Sequence, residues 1–311
     1  MKILIDVDAL EREGVLTPEL AQTLRSSANR DTGSAAINMI LAFGAAAVAA
    51  GLLVLFPSSG AATLFGLVFL AAGYLVATLH AKDWGQLGRI WMVVGVLTLA
   101  GSVPYGMDKP LLGSLAATAI LTCGALITPS RFLMALAPLA LAAAIGGSTG
   151  YWHACYEIAI REPTLTIVLF TAIGVSAWVV ARSGPPRFSD LAITLARMCV
   201  VLVNFGFWIG SLWGDTPGHM LTNPQSEWFV DPKIPAVAFA ILWAVGLAAA
   251  AYWGARNGRR FLVNAVATFG GIHFYTQWFE RLGVDPLTVI GAVLLAIAIG
   301  VGFWRLNRQK A

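Results

Sequence analysis

The chain reads as an all-α integral membrane protein, a ten-span transmembrane helical bundle with a short cytoplasmic helical head. Three observations predict it. Hydrophobic residues make up 58% of the 311 and charged residues 12%, with a mean hydropathy of +0.76, whereas soluble domains carry about 25% charged residues. Ten apolar stretches of roughly twenty residues follow one another, each long enough for a ~30 Å hydrocarbon layer at ~1.5 Å per residue. When those stretches are threaded through a bilayer, fifteen of the twenty Lys and Arg residues fall on one side. Positive charge is retained on the cytoplasmic side during insertion, so the asymmetry orients the chain.

Residues 1–32 form the predicted head. A short helix around Asp6 to Glu13 stops at Gly14, and a second is opened by Thr17, Pro18 and Glu19. Thr at the N-cap, Pro at the first helical position and an acid in the first turn satisfy or complement the free amides there. Leu16, Leu20 and Leu24 then recur every four residues as one apolar stripe. So short a piece holds no core of its own and is expected to pack on the membrane domain or on a cytoplasmic partner.

The bundle occupies residues 33–311, with spans expected at 35–56, 60–79, 88–105, 111–128, 132–152, 164–181, 190–213, 235–253, 261–279 and 286–304. Pro129 ends the short fourth span. Pro138 and the run Gly146-Gly147-Ser148-Thr149-Gly150 weaken the fifth, which is expected to kink or unwind near its outer end. An even number of spans places both termini in the cytoplasm.

Two further features agree with the threading. Trp84, Trp91, Trp178, Trp253 and Trp304 fall near the inner boundary, and Trp152, Trp213, Trp228 and Trp278 near the outer one, as an aromatic belt requires. Glycine is abundant, 32 residues, and much of it sits beside Ala within spans, as in Gly44 to Gly51. Small residues let helix backbones approach where lipid supplies no hydrophobic drive. The basic balance, net +4, lies in short loops and reflects insertion and contact with anionic membrane lipids, not nucleic acid. Three cysteines, Cys123, Cys155 and Cys199, make no even disulfide framework. The N-terminus has acids by Asp6 and no apolar region before a small-residue cleavage site, so no cleavable signal peptide is expected.

No Asp or Glu falls in the middle of a span, whereas proton-coupled pumps usually need a buried carboxylate or histidine relay. The polar residues that remain are sparse. Asp190, Arg197, Asn204 and Ser211 repeat every seven residues in the seventh span and form one stripe that should face protein. Arg197 is expected to snorkel back to the inner interface and to meet Asp190, an account that outweighs an anion-binding or gating role. In the ninth span His273, Gln277 and Glu280 fall within about 40° of one another, with Asn264, Thr268 and Tyr275 on a second face. Thr149, His153, Glu157 and Arg161 step by four and share a face if the fifth helix continues. With Trp208, Trp213, Asp215 and His219, these groups converge on the outer side.

Three readings fit that cluster. His153 and Glu157, with His219 or His273, have the helical spacing of zinc ligands, although no HExxH motif or paired CxxC accompanies them. Alternatively the cluster lines a polar vestibule for a small solute or lipid headgroup. The plainest reading is that each residue satisfies its neighbours and the headgroups. No Ser/His/Asp order, phosphate-binding glycine loop, dinucleotide fingerprint or nucleic-acid motif is present, and no cofactor is expected.

The segment LEREGVLTPELAQTLRSSA, followed nine residues later by NMILAFGAAAVAAGLLVLF, resembles the bacterial membrane proteins grouped as domain of unknown function 2157, which place a G-(V/I)-(L/I)-(T/S)-x-E head before many spans. The segments YWHACYEIAIREPTLT, NFGFWIGSLWGD and FGGIHFYTQWFERLG are similar to those of uncharacterised polytopic proteins from proteobacteria. The resemblance implies a bacterial inner-membrane location and carries no catalytic residue with it.

The sequence points first to transport or translocation of a small solute or lipid, with His153, Glu157, Asn204, His273 and Gln277 lining a site near the outer leaflet and Arg197 positioned from below. A sensor, assembly factor or scaffold acting through the head is the second reading. A membrane-embedded enzyme on lipid substrates is the third. The threading itself is testable with alkaline phosphatase, active only outside the cytoplasm. A fusion after Asp108 is expected to be active and one after Lys310 inactive, and the reverse pattern contradicts the orientation.

Overall fold

The computed structural model describes residues 7–12, 14–79, 84–152, 155–218, 232–283 and 285–308. The chain divides into two compact units, Met1–Asp108 and Lys109–Ala311. Among the described residues six helices are long and apolar enough to cross a membrane by length and composition. Their outward faces carry the apolar load, for at most 33% of the most apolar stretch of any of them is buried within the protein.

In the first unit, α1 (Val7–Arg12) is followed by α2 (Pro18–Leu55). Thr17 caps α2 by accepting the Leu20 amide at 3.4 Å, with Pro18 at the first helical position and Glu19 in the first turn, so the N-terminal signals are obeyed. Gly14, at φ +71°, supplies the left-handed turn before it. The helix that opens in the head continues into the first expected span. Nothing between Arg25 and Ala36 breaks a helix strongly enough, and α2 runs unbroken for 38 residues, about 57 Å at 1.5 Å per residue.

Helices α3 (Ser59–Leu79) and α4 (Gly85–Tyr105) match the second and third expected spans. They pack backbone to backbone through four glycines spaced by seven. A Cβ on Gly73 would lie 2.6 Å from the Gly88 carbonyl oxygen, and one on Gly95 would lie 2.6 Å from the Leu70 amide nitrogen. Gly66 and Gly88 complete the row, with Thr63 donating to Ser102 across the pair at 3.0 Å. The Gly44 to Gly51 run does not behave this way, since Gly44 and Gly51 have no atom within 4 Å of an added Cβ.

In the second unit α5 (Pro110–Ile127), α7 (Pro163–Ser183), α8 (Pro186–Trp213), α9 (Ala236–Arg256), α10 (Arg260–Leu282) and α11 (Pro286–Arg308) lie within a few residues of the expected spans. Between α5 and α7 the expectation fails. Helix α6 (Arg131–Ala144) ends eight residues before the predicted end of the fifth span, at about 21 Å of length. An antiparallel hairpin follows, β1 (Gly147–Trp152) with β2 (Cys155–Ile160), so the fold is not purely α. Gly146 at φ +87° turns the chain out of the helix, and its Cβ position is already occupied by Arg161 at 3.0 Å. Aromatic and β-branched residues beyond it, Tyr151, Trp152, Tyr156, Ile158 and Ile160, favour strands.

Each end of this unit is tied by contacts between residues that the threading assigns to one side. At the basic end Arg131 pairs with Asp190, Trp178 meets Trp253 at 6.1 Å, and Arg182 lies 4.3 Å over Trp178. At the hairpin end Asp215 accepts the Thr164 amide at 2.8 Å, capping α7, and bridges to Ile234. Glu162 accepts the Gly218 amide at 2.9 Å. Both acids are almost fully buried, 1% and 5% exposed, which their backbone partners and the positive start of α7 make tolerable.

The glycine row generates a stability prediction. Gly88→Ala should drive a methyl into the Ala77 backbone and cost about 1–3 kcal/mol, read as a lowered Tm in detergent. Gly101→Ala on the same helix, where an added Cβ meets nothing within 4 Å, should leave Tm unchanged or slightly raised.

Candidate functional site

Helix α8 supplies the centre of the site because its seven-residue polar stripe faces protein at Asn204, as expected. The Asn204 amide nitrogen donates to the Val200 carbonyl at 2.8 Å, and its oxygen accepts the Trp243 indole N–H, also at 2.8 Å. Trp243 is 1% exposed, and an indole so deeply buried needs an acceptor. Its ring packs with Leu247 of α9 and Phe269 of α10. The His273 ring sits edge-on to it, 4.9 Å between centroids. A second indole bond, Trp208 to Thr276 at 3.1 Å, ties α8 to α10 one turn along.

Beside this knot a cavity of about 750 Å³ opens between α7 and α8 on one side and α9 and α10 on the other. It exists because small residues face inward: Gly174 on α7, Ala196 on α8, Gly246 and Ala250 on α9. Asn204 and Trp243 lie at its deep end. Arg197, Arg259 and Arg260 line the other end, with Trp178 and Trp253. The Arg197 guanidinium lies 5.1 Å over the Phe261 ring, a cation–π contact at the start of α10.

The sequence-predicted residues separate into three groups. Asn204 and Arg197 line the cavity. Arg197 does reach toward the basic end, but the carboxylate it was expected to meet belongs elsewhere, because Asp190 pairs with Arg131. His273 joins through the Trp243 ring, and Gln277 follows one turn along α10 with its amide nitrogen buried and without a hydrogen-bond partner among the described residues. Neither His273 nor Gln277 lines the cavity.

The face expected from Thr149, His153, Glu157 and Arg161 is not formed. Its helical premise fails at Gly146, and Glu157 sits in β2 opposite Gly150. His153 and His219 fall outside the described residues. Among the described residues no three His, Cys, Asp or Glu side chains gather as a metal site would require. Asp215, expected in the outer cluster, is occupied as the cap of α7.

Sequence reasoning missed Trp243, Arg259, Arg260 and the cavity itself. The signal was present in Gly246 and Ala250, four apart on one face of α9, and in the arginine pair that starts α10. Chemically the site suits binding. Comparison with known protein families, curated proteins and solved structures finds no match to this chain.

The Asn204–Trp243 bond predicts a measurable coupling. Asn204→Ala and Trp243→Phe should each lower stability, and the double variant should lose less than the sum. A coupling of roughly 0.6–1.7 kcal/mol is expected from unfolding in bicelles, in the range for hydrogen bonds between membrane helices. Strict additivity contradicts the bond.

Proposed function

We propose that this chain is a polytopic protein of the bacterial inner membrane, with ten helical passes and both termini cytoplasmic, which binds a small solute or lipid in the cavity of its second unit and moves it across the bilayer. The carrying observation is that cavity: about 750 Å³, within the ~300–1,000 Å³ typical of ligand sites, apolar along its walls and polar at both ends. Discontinuity supports the same reading, since α6 stops short and a hairpin replaces its last turns. Non-helical backbone at membrane depth is tolerated where protein buries it or water reaches it. The pairing of residues from one assigned side, Arg131 with Asp190 and Trp178 with Trp253, supports the threading.

One observation favours a second reading, a sensor or scaffold worked by the head. Helix α2 is continuous from head to apolar span, and Val15, Leu20 and Leu24 remain exposed on the head. A rigid rod carrying an uncovered apolar face suits transmission to a cytoplasmic partner.

The two readings divide under one experiment. Native mass spectrometry of protein taken directly from membranes should show a bound small molecule in the wild type and none in Gly246→Trp, a substitution that fills the cavity without a backbone clash. Vesicles holding the wild-type protein should accumulate that molecule faster than empty vesicles. Accumulation equal to that of empty vesicles contradicts transport, whatever is bound.

A further inference from the structure

We infer that the cavity holds one chain of an anionic phospholipid drawn from the leaflet at the basic end, its phosphate against Arg259 and Arg260 and its chain running inward to Trp243. The inference rests on the cavity being the ligand site and adds the ligand's class. Three observations carry it.

The first is charge. Arg197, Arg259 and Arg260 line the same end of the cavity, and none has an acidic partner among the described residues. The neighbouring basic residues are already engaged: Arg131 with Asp190, Arg182 over Trp178, and Arg256 with the Tyr252 hydroxyl at 2.7 Å. Two arginines consecutive in sequence at the mouth of an apolar cleft offer forked donors for a phosphate, and Arg recognises phosphate better than a point-charge Lys does.

The second is depth. From Trp253 at the mouth to Trp243 at the deep end is ten residues of one helix, about 15 Å at 1.5 Å per residue. That is half of a ~30 Å hydrocarbon core, the reach of one leaflet. A straight acyl chain therefore spans the cavity with its headgroup level with the arginines.

The third is the wall. Between its polar ends the cavity is bounded mainly by Phe170, Val175, Val200, Gly246, Leu247 and Ala250, with Thr171 bringing one hydroxyl to the wall, so dispersion contact dominates along the length. A polar solute would leave its groups unsatisfied there. A hydrocarbon chain would not.

Native mass spectrometry titration of the full-length protein in detergent tests this with dioleoylphosphatidylglycerol, dioleoylphosphatidylcholine and inorganic phosphate. The anionic lipid should bind roughly tenfold or more tighter than the zwitterionic one. The double variant Arg259→Gln with Arg260→Gln, altering exposed side chains only, should bring the two lipids level. Millimolar phosphate should not displace the lipid. Equal binding of both lipids by the wild type, or an undiminished preference in the double variant, overturns the assignment. Displacement by phosphate alone does so too, by showing a free-anion site. Gly246→Trp separates the levels of the argument. If it abolishes both lipids while the arginine variant changes nothing, the cavity stands as the site and the headgroup assignment falls. If both lipids still bind, the cavity is not the site and the reading beneath the assignment falls with it.

Discussion

Apolar side chains that point away from the protein set the terms for everything else in this chain. Leu64, Leu79, Val168 and Val245 are 59–71% exposed, and they belong to helices whose most apolar stretches are at least two-thirds unburied. Such surface is stable only in a solvent as apolar as itself. In that solvent the hydrophobic effect no longer drives helices together, so cohesion passes to close packing and to hydrogen bonds. Both are visible. Helices α3 and α4 touch through backbone atoms at a glycine row, Gly210 lets the Phe239 ring lie against the backbone of α8, and indole bonds hold α8 to α9 and α10.

The boundaries of most helices were legible in the sequence because hydrocarbon thickness imposes a length, and Pro110, Pro163, Pro186 and Pro286 stand where helices begin. Thr17 and Pro18 announced α2 for the same local reason. Three features escaped that logic. The continuity of head and first span was not legible because Gly33 and the polar residues from Asn29 to Ser34 read as weak helix formers, yet α2 runs through them. The hairpin lay in a stretch whose weakness was evident from Gly146 and Gly147, but whose pairing needed Gly147 to find Ile160. The partner of Asp190 was set by tertiary approach of α6, which no spacing within α8 reveals.

The site was partly legible for a related reason. A stripe at seven-residue spacing must face protein, and this located Asn204, though not the Trp243 that it holds. A cavity is defined by what is missing, and small residues on three separate helices declare it only after those helices are assembled. Its position at the basic end also reverses the emphasis of the polar residues, which gather more densely near the hairpin. There Glu162 and Asp215 hold loops and a helix start in place, so the burial of those two acids is accounted for by structure. At the other end Arg197 lies over Phe261, but Arg259 and Arg260 at the mouth of the wide apolar cleft have no acidic partner among the described residues.

The account stands on lipid covering the outward faces. Nitroxide labels at Val168 and Leu242, both about 60% exposed on α7 and α9, report this directly in the reconstituted protein. Collision with dissolved oxygen, which concentrates in hydrocarbon, is predicted to exceed collision with a water-soluble nickel chelate at both positions. Greater contact with the nickel chelate would place these faces in water and contradict the account.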